Sequence, residues 1–341
     1  MVILMAIAII GVLVFFHELG HFLTAKASGM MVHEFALGMG PVLLAHTRGE
    51  TKYSLRMLPI GGFLRVAGEE NEPGKLAIPF DRRYDTKPVW QRMVFVAGGS
   101  LMNFVLASLI FAIIFMAVGV PTTEPLIGSV TPDWPAAQAG LQIGDRVVNI
   151  EGRDIATWTE LQRAIGETTA PTITVEILRD ETRLTLSMTP RVDEATGRRL
   201  VGVAPANVRH GFFTALFLGT REVVWFTAEI LSVIGRMVTG RMPAEGAGPI
   251  GMVVMVGEVA RTGLANLLSF AAIISIQLGM FNLLPIPALD GSKLVFLALE
   301  GVRGKPIAPE RENMIHFLGF VMLMVLIVLV TYQDLQRLNI F

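Results

Sequence analysis

Apolar and polar positions divide this chain into two kinds of segment. Four long stretches are almost wholly apolar: residues 2–22, broken only by His17, Glu18 and His21; residues 93–120 and 264–289, without a formal charge; and residues 315–332. Each is near the roughly 20 residues that a helix needs to cross the hydrocarbon core of a bilayer. Residues 210–238 are also apolar, but Arg221, Glu222, Glu229 and Arg236 interrupt them at near-helical spacing. That pattern predicts an amphipathic helix lying on the membrane or against the bundle, and it is not counted as a span.

Between residues 122 and 209 the continuous runs stop and charges return. Residues 126–130 read as a strand, 134–139 as a short helix, and 144–150 as a turn into a strand that ends at Glu151-Gly152. Residues 157–165 are amphipathic, and 172–178 and 183–188 alternate as paired strands about Asp180-Glu181. A sheet with two helices in roughly eighty residues fits one globular module. Residues 31–66 carry short apolar runs bounded by Gly and Pro, which predict short strands with turns.

Composition agrees with a membrane protein. Apolar residues make up 52% of the 341 and charged residues 17%, against about 25% charged in soluble domains. Mean hydropathy is +0.57. A net charge of −1 provides no global field for nucleic acid or an anionic surface. With no cysteine, a metal would be bound through His, Asp or Glu. The first apolar stretch could instead be a cleaved leader, but no Lys or Arg precedes it, no small-x-small site follows, and it runs straight into His17.

Lysine and arginine in the short loops set the orientation. Ten lie between the first two stretches, from Lys26 to Arg92 with Lys75 among them, and four between the last two, Lys293, Arg303, Lys305 and Arg311. With four spans these loops share a side, and both are basic, so both are expected to be cytoplasmic. Residues 122–209 and both termini are then expected outside.

The chemistry centres on His17-Glu18-Leu19-Gly20-His21. On a helix the two histidines stand one turn apart on one face and can reach one Zn2+, with Glu18 beside them to take a proton from the attacking water. Ionisable groups inside an apolar span are functional candidates by default; the alternative is a helix end at headgroup level. A catalytic zinc usually has three protein ligands. The best third candidate is Asp290, in Asn282-Leu-Leu-Pro285-Ile-Pro287-Ala-Leu-Asp290-Gly291; His33 and Glu34 come next. Two prolines so close cannot continue a regular helix. Broken backbone there could pair with a substrate strand, and Asn282 could donate to a developing oxyanion. Asp290 could also serve as N-cap of a helix that follows.

HELGH paired with NLLPIPALDG resembles the site-2 protease family of intramembrane zinc proteases, in its bacterial branch that acts in regulated intramembrane proteolysis. Gly99-Ser-Leu-Met-Asn103, near the start of the second span, resembles the family's Gly-x-x-x-Asn motif, and Arg56–Phe63 and Gly248-Pro-Ile-Gly251 also match. The resemblance implies zinc held by His17, His21 and Asp290, Glu18 as catalytic base, and Asn282 as a catalytic contact to substrate or transition state. It adds Asn103, Pro285 and Pro287 as substrate contacts. It implies that the loop of residues 31–66 folds back toward the active site as a β-rich edge, an ordinary cytoplasmic hairpin being the alternative. PAAQAGLQIGDRVVNIEG resembles bacterial PDZ domains, with Ile127 and Gly128 lining the carboxylate loop. Such a domain would bind a peptide tail or act only as a steric gate. The family's best-known Gram-negative members differ from this chain, which has room for one PDZ domain only.

The expected architecture is a polytopic α-helical membrane protein with about four transmembrane helices, a membrane-associated β-rich loop and an inserted extracytoplasmic PDZ (α+β) domain. Its expected parts are residues 1–121, an N-terminal membrane part; 122–209, the PDZ domain; 210–262, an amphipathic segment; and 263–341, a C-terminal membrane part. The expected function is zinc-dependent endopeptidase action on transmembrane segments of single-span proteins, such as anti-sigma factors or signal-peptide remnants. The expected place is the bacterial plasma (inner) membrane, with the active site toward the cytoplasm and the lipid bilayer as a partner. The alternative is a catalytically inactive scaffold that binds extracytoplasmic peptide tails. A scaffold has no need of an acid between two intramembrane histidines. A transporter fits less well, since no paired inverted halves are visible.

Overall fold

Helices are the default where backbone polar groups cannot reach water, because they satisfy their own N–H and C=O groups. In this computed structural model, which describes residues 1–69, 78–193, 197–243 and 248–338, four helices are long and apolar enough to cross a membrane. Lys75, counted above among the basic loop residues, lies outside the described residues. The chain divides into two compact units, one of Met1–Ile114 with Ala215–Phe341 and one of Phe115–Thr214.

In the first unit, α1 (Val2–Ala27) leads into strands β1 (Val32–Arg48) and β2 (Thr51–Val66), and then α2 (Val89–Ala117). The strands are far longer than the short runs expected from sequence. Gly38, Gly40 and Gly61 have positive φ and mark irregularities within the strands, not their ends. Residues 32–37 lie beside 62–66 on one side and 52–55 on the other, while 42–48 pair with 51–56. Residues 62–66 therefore form an outer edge. At the turn, Glu50 holds Lys26 at 2.6 Å and both Arg82 terminal nitrogens at 2.6 and 2.8 Å. Those hydrogen bonds, from Arg82 first and then Lys26, bring the Glu50 carboxyl down to about 2.

The second unit takes in the last residues of α2 and then β3 (Val120–Pro121), β4 (Ile127–Val130), α3 (Pro135–Gln138), β5 (Arg146–Ile150), β6 (Arg153–Asp154) and α4 (Trp158–Glu167). It continues with β7 (Ile173–Arg179), β8 (Thr182–Met188), β9 (Arg191–Val192), β10 (Arg199–Leu200), β11 (Val203–Pro205) and β12 (Asn207–Val208). Strands β6-β5-β7-β8 form an antiparallel sheet, and β11 pairs with β4. Thr157 and Glu160 start α4 with reciprocal side-chain to backbone bonds. Ile127, Ile150, Leu161, Ile173 and Ile177 meet in the core. The strand, turn and helix positions expected from periodicity in this region match these elements closely.

The first unit resumes with α5 (Phe212–Val238), α6 (Pro249–Arg261), α7 (Leu264–Leu283), α8 (Asp290–Arg303) and α9 (Pro309–Arg337). Helix α5 is not among the four span candidates; its Gly219 meets Ser108, and Phe226 stacks on Phe111 at 5.8 Å. Asp334 of α9 accepts the N–H groups of Gly248 and Gly251 at 3.0 and 2.8 Å and so caps α6 from another helix. Two spans start earlier than their apolar runs. Helix α9 opens with Pro309, Glu310 and Glu312, a polar first turn that suits a helix N-terminus but is invisible to hydropathy. Because α2 starts at Val89, the Gly99-to-Asn103 motif lies inside it and not near its start. The third span stops at Leu283, six residues before the end of its apolar run, where the prolines intervene.

Candidate metal centre

Glycine lets two helices approach closely enough to share a site. A Cβ on Gly20 would collide with the Gly98 carbonyl, and one on Gly99 would collide with the imidazoles of His21 and His17. Helix α7 closes on α2 in the same way, since Gly279 abuts Ser100 and Asn103, and Ser275 Oγ donates to the Asn103 carbonyl at 2.9 Å. After α7 the chain extends at Leu284, turns through the prolines and re-enters a helix at Asp290. Gly291 is forced there, because any Cβ would strike the carbonyls of Leu283 and Leu284.

This packing brings together residues more than 260 apart in sequence. His17 Nε2 and His21 Nε2 lie 3.2 Å apart, and Asp290 Oδ2 lies 3.2 Å from each. Among the described residues this is the one group of three His, Cys, Asp or Glu side chains placed to hold a metal ion. A tetrahedral ion with bonds of 2.0–2.2 Å has ligand-to-ligand edges of about 3.3–3.6 Å, close to this triangle. The ring orientations fit as well. His21 Nδ1 donates to the Phe95 carbonyl at 2.9 Å, which leaves Nε2 bare. Asn103 faces His17 Nδ1 at 3.1 Å through its amide nitrogen, and its Oδ1 is buried without a partner. Turning that amide over pairs Oδ1 with Nδ1–H and frees His17 Nε2 for a metal.

A cavity of about 210 Å³ adjoins the triangle, lined by Glu18, Phe63, Leu64, Glu69 and Lys293 among others. Gly62 of the outer strand edge passes directly over the Glu18 side chain. Burial works against charge on Lys293, but Glu69 at 2.8 Å outweighs it and pushes the ammonium pKa up.

Other expected site residues fall elsewhere. Asn103 is fully buried and touches His17, so its place is behind the histidine and not in the cavity wall. The signal for this was its spacing of four from Gly99, which puts both on one face of α2 toward the histidines. Asn282 and Pro285 are not among the cavity's lining residues, and Pro287 packs against Gly319 of α9. Asp290 is not an N-cap: that position is Leu289, with no side-chain cap bond. Glu34 is engaged by Ser54 at 2.7 Å and Arg56 at 2.8 Å on the sheet. Ile127 and Gly128 do not form a free carboxylate loop. Ile127 donates to the Asp145 carbonyl and accepts from the Gly144 N–H, and a Cβ on Gly128 would run into Pro205 and Ala206. The run Leu-Ile-Gly-Ser-Val is a strand paired with β11, and the backbone groups of Ile127 are already used.

The model of peptidase family M50 matches residues 5–326. The chain belongs to peptidase family M50. Among the relatives of this M50 peptidase, the regulator of sigma-W protease RasP of Bacillus subtilis is 34% identical, over 97% of both chains. The zinc metalloprotease RasP of Bacillus licheniformis is 35% identical, over 97% of this chain and 98% of that one. Part of the chain is also similar to the crystal structure of the PDZ domain of an SdrC-like protein from Listeria monocytogenes. That likeness is 22% identical, covers 25% of this chain and 90% of that one, and has a TM-score of 0.22. The chain is a zinc metallopeptidase, and zinc is its cofactor. Bound zinc supplies Lewis-acid polarisation of a carbonyl and makes water a stronger acid.

Proposed function

We propose that this M50 peptidase cuts single-span membrane proteins within or beside their spans. His17, His21 and Asp290 would hold zinc. What carries this reading is the 3.2 Å donor triangle beside a cavity lined by Glu18, built from a candidate span and a broken helix connection. Glu18 takes a proton from the attacking water and hands it to the leaving amine. A helical substrate hides its carbonyls in its own hydrogen bonds, so it must unwind before it can be cut. The outer edge of residues 62–66, with Phe63 and Leu64 at the cavity, offers backbone groups in exchange. Asn282 and the Pro285–Pro287 backbone, which lie outside the cavity wall, would contact substrate farther along, as the motif resemblance implies.

The basic loops support a cytoplasmic position for the sheet and an extracytoplasmic one for residues 122–209, as a PDZ-like module that admits trimmed substrates. The name of the Bacillus subtilis relative, regulator of sigma-W protease, supports a substrate in sigma-factor control, such as the membrane remnant of an anti-sigma factor. A scaffold is disfavoured on the same geometry. Two bare imidazole nitrogens and a carboxylate converging in a buried site are costly to keep unless a cation joins them.

Glu18→Gln tests the reading. Zinc content should match wild type, while cleavage of a reconstituted single-span substrate should fall about 10²–10⁴-fold. Substantial cleavage by that variant would remove Glu18 from the chemistry.

A further inference from the structure

We propose that His316, on α9, is a positioning residue for the zinc site, acting through the turn that aims Asp290. This rests on Asp290 being a zinc ligand. The turn spans residues 286–289: the Leu289 N–H donates to the Ile286 carbonyl at 3.1 Å, Pro287 comes second, and Ala288 comes third with φ +76°. That pattern is a type II turn, whose third position favours glycine because other residues pay for a left-handed conformation. A type I turn would spare Ala288 that strain. The two types differ by a flip of the peptide between Pro287 and Ala288, whose N–H is not used within the turn.

His316 decides the flip. Its Nδ1 accepts the Ala288 N–H at 3.1 Å, while the Phe296 ring packs edge-on at 5.7 Å. Glu312 Oε1, 3.8 Å from Nε2, favours the proton on Nε2, so a flipped peptide would turn a carbonyl toward a bare Nδ1. One turn along α9, Gly319 lies against Pro287 with no room for a Cβ, which presses the helix onto the same turn. Asp290 follows Ala288 by two residues, so the direction of that peptide sets where its carboxylate meets His17 and His21. In the apolar run of α9, His316 thus touches no ligand yet holds one in place.

The test uses the full chain in detergent and reads zinc affinity by chelator competition alongside cleavage. His316→Leu should lose about 10–100-fold in zinc affinity, as outer partners of metal ligands do. His316→Asn should stay near wild type, because its Oδ1 can sit where Nδ1 does. Ala288→Gly should bind normally and restore most of the affinity lost in His316→Leu, since glycine takes positive φ without strain. If the Leu variant does not survive purification, His316→Gln, whose acceptor reaches the Nε2 position instead, takes its place with the same expectations. Wild-type zinc affinity in His316→Leu, with zinc lost in Asp290→Asn, would overturn the proposal. So would equal losses in the Leu and Asn variants without rescue by Ala288→Gly, which would leave His316 as packing alone. Wild-type affinity in Asp290→Asn would instead overturn the ligand reading beneath it.

Discussion

In the Phe115–Thr214 unit Ile173 and Ile177 are 0% exposed, whereas on α9 Phe317 is 65% and Val328 63% exposed. The same class of side chain is inside the module's core and outside on α9. A soluble module is held together by taking aliphatic surface from water. A span gains little by hiding apolar side chains from lipid that is equally apolar, so small residues and polar contacts hold its helices together. That shows in the first unit around the histidines, beside an apolar cluster that includes Met30, Phe95 and Leu297. Gly20 meets Gly98, Gly279 meets Ser100, and the buried polar side chains include His17, His21, Asn103, Ser275 and Asp334; in the second unit Asp145 is buried, held by Arg179. Where the interior is built from polar groups, the structural partners and the reactive groups become neighbours. Asn103, which packs two helices and orients a histidine, shows how close the two roles lie.

Asp290→Asn should sharpen this contrast most. As a ligand, Asp290 offers a carboxylate that a neutral amide replaces poorly, so zinc affinity should fall by more than about 100-fold and cleavage with it, a loss larger than outer-partner changes give. Were Asp290 only a residue of the first turn of α8, the near-isosteric amide would leave zinc content and cleavage unchanged. Metal content and cleavage of the two proteins, measured side by side, separate these outcomes. Full zinc in the Asn variant would mean that the polar interior is structural at this position.

Ile177→Ala probes the other interior. Removing buried methylenes from a packed core costs about 2–5 kcal/mol. Protease susceptibility of the Phe115–Thr214 unit in the full chain should rise, and zinc content should stay at the wild-type level. Parallel loss of zinc would mean that the two interiors do not act separately.

Much of the fold and site is legible in the sequence, for reasons that differ by residue. HELGH announces itself because the helical period puts two ligand types on one face. The module's strands show because alternation about a compact apolar core is a strong signal, and Asp180-Glu181 is the turn that its residue types suggest, both taking positive φ. The strands of residues 32–66 are longer than their pattern suggests, because glycines that look like ends are bulges. Asp290 is reached as the acidic residue at the broken end of the third span, and motif resemblance adds its role as ligand, since no periodicity links it to His21. His316 is an ionisable group in an apolar run and so a candidate on the same ground as HELGH, but no motif or spacing shows its partner, a backbone N–H far along the chain. Ile127 is misplaced in a carboxylate loop because a strand's outward edge cannot be read without knowing which strand pairs beside it, here β11.

The smallest expected effect comes from the face of α9. Leu326 is 53% exposed on a helix of which 6% of the most apolar window is buried. Truncated to alanine in a soluble core, such a residue would leave a cavity and cost as much as Ile177→Ala. In a bilayer, acyl chains flow into the space that the leucine side chain vacates, and alanine keeps the helix intact. Leu326→Ala should therefore leave thermal stability in lipid nanodiscs unchanged within about 0.5 kcal/mol, as for a surface substitution away from any packed feature. Zinc content should be unchanged too. Leu326→Asp sets the opposite limit, since a carboxylate at the centre of a span costs about 2.5–3.5 kcal/mol on insertion scales. A loss on alanine substitution as large as that of Ile177→Ala would mean that this face is covered by protein, and the contrast between the two units would fail at its most exposed helix.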